Sequence, residues 1–175
     1  MKDVELRVIA ELMKNSRRSD RELAKVLGVS QPTVGRTIRK LEKDGVAREY
    51  TMIPDFAKIG FAIMSVTFMS WNEGLNAQEY DRVIEAGMAL DKEKKTSVIM
   101  ASQGFGGVQG VMVISLHENY SVSKEFLNDL KQLPYSDRAN FQRFLVDLAG
   151  NRYRTLTMSS LTDHLEKKAD STKPR

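Results

Sequence analysis

The chain contains no cysteine, so neither a disulfide nor a thiolate metal site can be built from it. Histidine is almost as scarce: 2 in 175 residues, His117 and His164, neither with a partner at metal-ligand spacing. No nucleophile and base fall into a recognisable arrangement, so the sequence offers no catalytic residue and no metal site. No apolar run approaches the roughly 20 residues that a membrane span requires. The N-terminal MKDVELRVIAELMK also lacks the continuous apolar stretch of a secretory signal. These absences point to a soluble protein of the reducing cytoplasm, with no membrane partner.

What is present suffices for one full domain, or for a small domain and a medium one, with 41% hydrophobic residues to fill their cores. The net charge of +4 is unevenly placed. Residues 1–60 carry 13 Lys+Arg against 9 Asp+Glu, whereas the rest of the chain carries 14 of each. A basic segment beside a neutral one suggests a polyanion partner for the basic part.

Within that basic third lies SQPTVGRTIRKLEKDG, residues 30–45. Ser30 can cap a helix, Pro32 fits its first turn, and Gly45 can close it in a left-handed conformation. At about 100° per residue, Val34, Ile38 and Leu41 share one face, with Arg36, Arg39 and Lys43 opposite and Thr33 and Lys40 at the edge. Upstream, Asp3 can cap a helix carrying Leu6, Val8, Ile9, Leu12 and Met13. Ser19 and Glu22 form a capping box for a second helix, which ends at Gly28. Ala24 is small where two helices would cross, and Val29 and Val34 plug the angle between them. This is helix-turn-helix spacing, although any tight αα corner can use the same residues. Val46–Pro54 then reads as a short β-prone run, suited to a wing strand bearing Arg48 and Tyr50.

Residues 3–60, centred on ELAKVLGVSQPTVGRTIRKLEKDGVAREYTMIPDFAKIGF, resemble the winged helix-turn-helix of the Lrp/AsnC (leucine-responsive) transcriptional regulators. The likeness rests on the LAKVLGVS turn, the RTIRKLEKDGV helix end, and a connector with Pro54 and Lys58-Ile59-Gly60-Phe61. It covers about a third of the chain.

Periodicity organises the remainder. FAIMSVTFMSW, residues 61–71, reads as a strand apolar on both faces, which implies cover on both sides and so a subunit interface. Residues 77–90 are helical, 96–102 and 111–116 are strands, 120–133 are helical up to Pro134, and 139–148 are a strand. The order β-α-β-β-α-β is the ferredoxin-like split arrangement. The expected architecture is therefore α+β. It comprises a winged helix-turn-helix over 1–53, a linker over 54–60 and a ferredoxin-like domain over 61–150. An extra strand near 153–158 and a polar tail complete 151–175, with 171–175 disordered. The resemblance implies the same second domain, dimerising through its sheet and able to bind small effectors.

The glycine-rich stretch Gln103–Gly110, QGFGGVQG, is no dinucleotide fingerprint. Gln109 stands where the third glycine belongs, and the segment leads into a strand where a helix N-terminus is needed. No cofactor is expected. The plain reading is a flexible hairpin connection. In the resembled family this connection borders a small-molecule pocket between subunits, which makes Gly104, Phe105, Gly106 and Gly107 candidate effector contacts. The family usually carries an aspartate here and this chain does not.

The function expected is sequence-specific binding of double-stranded DNA by a transcriptional regulator, as a homodimer or higher oligomer, with a small-molecule effector. Ser30, Gln31, Thr33, Arg36, Thr37, Arg39, Lys40, Lys43, Arg48 and Tyr50 are the candidate DNA contacts. Gln31, Thr33 and Arg36 suit base edges, and Arg39, Lys40, Lys43 and Arg48 suit phosphates. Two alternatives stand beside this reading. The resemblance extends to enzymes of the sirohaem decarboxylase type, which would need histidines and basic residues around a tetrapyrrole. A non-DNA-binding adaptor would need no polar stripe on its third helix.

Overall fold

The computed structural model describes residues 1–72, 74–94, 97–104, 110–150 and 156–171. The chain divides into two compact units, Met1–Ile53 with Arg154–Arg175, and Pro54–Tyr153. None of the helices among the described residues is long and apolar enough to cross a membrane.

The first unit opens with α1 (Asp3–Lys14), α2 (Asp20–Leu27) and α3 (Gln31–Lys43). Asp3, expected as the cap of α1, lies instead in its first turn, and Lys2 holds the cap position. The Lys2 N–H donates to the Glu5 carboxylate at 2.8 Å, so Glu5 supplies the acceptor that a capping side chain would otherwise provide. No wing strand forms over 46–53, because no described segment of this unit pairs with it. The first two residues of that stretch turn back instead, Val46 and Ala47 donating to the Leu41 carbonyl at 2.9 and 3.1 Å.

The polar tail is largely helix. A 3₁₀ turn (Ser159–Leu161) leads into α6 (Thr162–Ser171), which packs along α1. Thr162 and Ala169 are buried and Leu165 is half-buried, which makes one narrow stripe along α6. Lys14–Glu166 and Arg7–Asp170 ion pairs at 2.5 and 2.6 Å flank it. Residues 156–158 form no strand, and 151–155 and 172–175 lie outside the described residues.

The second unit has the order β1 (Ile63–Trp71), α4 (Ala77–Lys94), β2 (Ser97–Gly104), β3 (Gly110–His117), α5 (Tyr120–Lys131) and β4 (Ser136–Asp147). Its sheet runs β2-β3-β1-β4, with every neighbouring pair antiparallel. This is the ferredoxin-like topology that periodicity predicts. Alternation along β1 sends Ser65, Thr67 and Met69 to the helix-covered face and Val66 and Phe68 to the other. Met69, Val113, Phe126 and Leu130 form the core under α5. Phe68, Met100 and Phe144 remain exposed, Phe144 at 67%. Gly110 opens β3 where a Cβ would lie 1.9 Å from the Met69 carbonyl oxygen, so only glycine fits between the strands there.

A small polar cluster interrupts the core. His117 Nε2 lies 2.9 Å from Ser115 Oγ and 3.2 Å from Ser65 Oγ, and the two hydroxyls are 2.9 Å apart. The imidazole also tilts against Phe126, with ring centroids 5.4 Å apart. Burial, together with the nearby Arg143 charge, lowers the His117 pKa from 6.5 to about 4.

The unfolded chain therefore takes up a proton between pH 6.5 and about 4 that the folded ring refuses, and stability falls as pH falls through that window. The slope from this one group is at most about 1.4 kcal/mol per pH unit. His117→Gln keeps a polar group without titrating. Denaturant unfolding at pH 7 and pH 5 should show a smaller loss for the variant than for the parent, and an equal loss would place the acid sensitivity elsewhere.

Candidate nucleic-acid interface

Two caps and one turn set the position of α3. Ser19 accepts the Glu22 N–H at 3.3 Å while Glu22 accepts the Ser19 N–H at 2.7 Å, which fixes the start of α2. Gly28 ends α2 with φ +67°, a left-handed conformation that costs little without a Cβ. The Val29 N–H then returns to the Ala24 carbonyl at 3.1 Å, and Ser30 caps α3 by accepting the Thr33 N–H at 3.3 Å. Leu23, Ala24 and Val34 are buried together, with Leu12, Leu27, Val29 and Ile38 against them. The helix-turn-helix corner is thus filled by the residues the sequence marks for it.

One side of α3 is held and the other is open. Val34 and Leu41 are buried, whereas Gln31, Arg36, Arg39, Lys40 and Lys43 are exposed. Arg36 Nε donates to the Pro32 carbonyl at 3.3 Å, which steadies the stem of that side chain against its own helix. Arg48 and Tyr50 follow α3 on exposed backbone, and Tyr50 Oη donates to Glu42 Oε1 at 3.2 Å. Burial and the Glu42 carboxylate both raise the Tyr50 pKa.

Several candidate contacts are occupied within the fold. Thr37 is only 8% exposed, and its hydroxyl donates to the Thr33 carbonyl at 2.9 Å. Three residues after Val34 and four before Leu41, it belongs to the packed stripe and not to the open face. The Ser30 and Thr33 hydroxyls lie 2.8 Å apart, engaged in the cap. Lys40 Nζ sits 3.1 Å from Glu5 and 2.8 Å from Asp44, tying the end of α3 to the start of α1. Those hydrogen bonds raise the Lys40 pKa. The Lys2 N–H, followed by Lys40, lowers that of Glu5.

Exposed cations absent from the sequence reading also lie in this unit: Arg17 before α2, and Arg21 and Lys25 on it. The rule that the first helix of such a pair crosses the DNA backbone is the signal that singles out the two on α2.

In the second unit, Gly104 closes β2 opposite Gly110. It borders a depression of about 850 Å³ that Trp71, Asn72, Asn76, Tyr80 and Gln103 also line. Phe105, Gly106 and Gly107 lie outside the described residues. No group of three or more His, Cys, Asp or Glu among the described residues is placed to hold a metal ion.

Comparison with known proteins agrees with this geometry. Residues 1–48 match the family described as winged helix-turn-helix DNA-binding. An uncharacterized HTH-type transcriptional regulator of Pyrococcus abyssi is 27% identical over 138 residues, 79% of this chain and 87% of the relative. The HTH-type transcriptional regulator LrpC of Bacillus subtilis is 36% identical over 63 residues, 36% of this chain and 44% of LrpC. The latter match therefore spans less than half of LrpC. A transcriptional regulator of Neisseria meningitidis, solved in complex with L-Met, shares the fold. Its TM-score is 0.74 at 14% identity, covering 94% of this chain and 99% of that one.

The lysines at the end of α3 should separate in a stability assay. Lys40→Ala leaves the buried Glu5 carboxylate without its cation and should lower the melting temperature. Lys43→Ala should leave it unchanged, because no ion pair between Lys43 and the described residues is present. Equal melting temperatures for the two variants would show that the Glu5–Lys40 contact adds nothing to the fold.

Proposed function

We propose that this chain is a member of the Lrp/AsnC family of transcriptional regulators and reads double-stranded DNA through α3 in the major groove as a homodimer or higher oligomer. The observation that carries this reading is the division of α3 itself. Val34 and Leu41 anchor one side, and Gln31, Arg36, Arg39 and Lys43 stand exposed along the rest. A recognition helix needs such a division, since it must be rigid toward the protein and polar toward the groove.

The roles follow from side-chain chemistry. Gln31 and Arg36, in the N-terminal half of α3, are assigned to base edges: an amide can pair with adenine N6/N7 and a guanidinium with guanine O6/N7. Arg39, Lys43 and Arg48 are assigned to phosphates, joined by Arg21 and Lys25 from α2. Ser30 and Thr33 act by holding the first turn in shape. Lys40 meets the DNA only if it exchanges Glu5 and Asp44 for a phosphate, and Tyr50 is positioned through Glu42.

The second unit is assigned to assembly and effector binding. The sheet face carrying Phe68, Met100 and Phe144 suits a second copy of the chain, because a broad exposed apolar face marks an interaction site. A two-fold dimer would read two half-sites about one helical turn apart, hence a pseudo-palindromic operator. The depression beside Gly104 is assigned to a small effector. The L-Met complex of the Neisseria regulator supports an effector of that size, while the absence of an aspartate in QGFGGVQG leaves its ammonium partner to other residues. The chain is read as a regulator with no reaction of its own.

Selection from a random duplex library, followed by titration of the winner and of scrambled DNA at several salt concentrations, tests the reading. An enriched two-fold motif is expected. On that motif Arg36→Ala should cost about 1–3 kcal/mol and relax preference at one position, whereas Lys43→Ala should weaken all sequences alike and lower the salt slope. Equal losses on every sequence from both variants would remove the division of labour, and no motif at all would favour the adaptor reading. Phe144→Asp should yield monomers by sedimentation, and an unchanged oligomer would assign assembly to another surface.

A further inference from the structure

The two helices of the second unit cover their sheet unequally. Under α5, Phe126 and Leu130 close on Met69 and Val113, and all four are buried. The longer α4 buries only Val83 as fully, at 6% exposure, and leaves Met88 69% exposed and Ile84 39% exposed. Between α4 and the sheet lies a cavity of about 400 Å³. Its floor is Met69, Trp71 and Val113, and its roof is Val83, Gly87 and Leu90. Protein interiors are normally filled to the density of organic crystals, so a void of this size beneath an 18-residue helix is not a packing default.

Gly87 sharpens the point. It sits inside α4, lines the cavity, and a Cβ there would meet nothing within 4 Å. Glycine in a helix interior costs about 1 kcal/mol relative to alanine. Its φ is not positive and no neighbour crowds it, so neither backbone nor packing calls for glycine at this position. What glycine does here is keep the roof low and the space beneath it clear. The apolar walls give way to polar groups at the rim, where Tyr80 and Gln103 also border the neighbouring depression.

We infer that the space between α4 and the sheet is a binding site for an uncharged, mainly apolar small molecule of up to three rings, carrying one hydrogen-bonding group. Volume sets the size, since pockets for such ligands begin at about 300 Å³. The aliphatic and indole lining sets the polarity, because an ion placed against it would lose its hydration, and the one charged residue of the lining, Asp91, already has an interaction within the chain. The Tyr80 hydroxyl and the Gln103 amide, each able to donate or accept, receive the single polar group at the rim. The site lies within one unit of one chain, on the sheet face opposite Phe68 and Phe144, and it stands whether or not the chain reads DNA.

Neutral N-phenyl-1-naphthylamine is a suitable probe, because Trp71 is the only tryptophan in the chain and lines the cavity. Titrated into the full chain, it should bind saturably at one site per protomer with energy transfer from Trp71. Gly87→Leu fills the cavity from above and Val98→Phe from the sheet side, and each should weaken binding at least tenfold while circular dichroism stays that of the parent. If one of the two does not fold, the other decides. Lys124→Ala, on the exposed side of α5 and away from the cavity lining, should bind as the parent does. Absence of saturable binding, unchanged affinity in a folded cavity-filling variant, or loss of binding in Lys124→Ala alone would overturn the assignment.

Discussion

Everything proposed for the first unit depends on one contact, the seating of Val34 against Leu23 and Ala24. Those three side chains are buried together at the corner between α2 and α3, and the angle of the corner decides which way the rest of α3 faces. The turn that permits it is short, with Gly28 left-handed and Ser30 already capping the next helix. A larger residue than Ala24 would push the helices apart, and one without glycine's freedom at position 28 would strain the turn. Because α3 is 13 residues long, a small change of tilt at its start is carried to Lys43 at its end.

Along the helix so fixed, the charges divide between two tasks. Arg36, Arg39 and Lys43 project from the side away from the core, where a polyanion can reach them. Lys40, one turn from Arg36, is drawn inward by Glu5, whose carboxylate is held by the Lys2 N–H and is too deeply placed to go without a cation. A basic stripe that looks uniform in sequence is thus part open surface and part internal fastening. The second unit makes a similar division with apolar residues. One sheet face supports α5 and α4, and the other leaves Phe68 and Phe144 to whatever covers them.

Local signals were the ones legible in the sequence. Ser19 with Glu22, Gly28, Ser30 and Pro32 act on backbone within four residues, so their effects can be read directly, and α2 and α3 lie where those residues put them. Alternation along residues 61–71 likewise located β1. Thr37 is a candidate DNA contact by residue type, but its spacing to Val34 and Leu41 marks it as packed, and it is buried. β-propensity and length suggest a wing strand over 46–54, but a strand exists only with a partner, and no described segment of the unit supplies one. Composition hid α6 because its stripe of Thr162, Leu165 and Ala169 is thin among charged residues, and α1, which it covers, is some 150 positions away. The Glu5–Lys40 pair and the space under α4 depend on how distant elements approach one another, which no local pattern encodes.

The most direct test of the central claim, that the open side of α3 enters the major groove, is methylation interference on the selected duplex. Methyl groups at guanine N7 stand in the major groove, where the Arg36 guanidinium is assigned. The account predicts two patches of interference on one face of the duplex, about one helical turn apart, with the strongest guanine position lost in Arg36→Ala. Binding that tolerates methylation at every guanine N7, yet is blocked by a ligand of the minor groove, would contradict it.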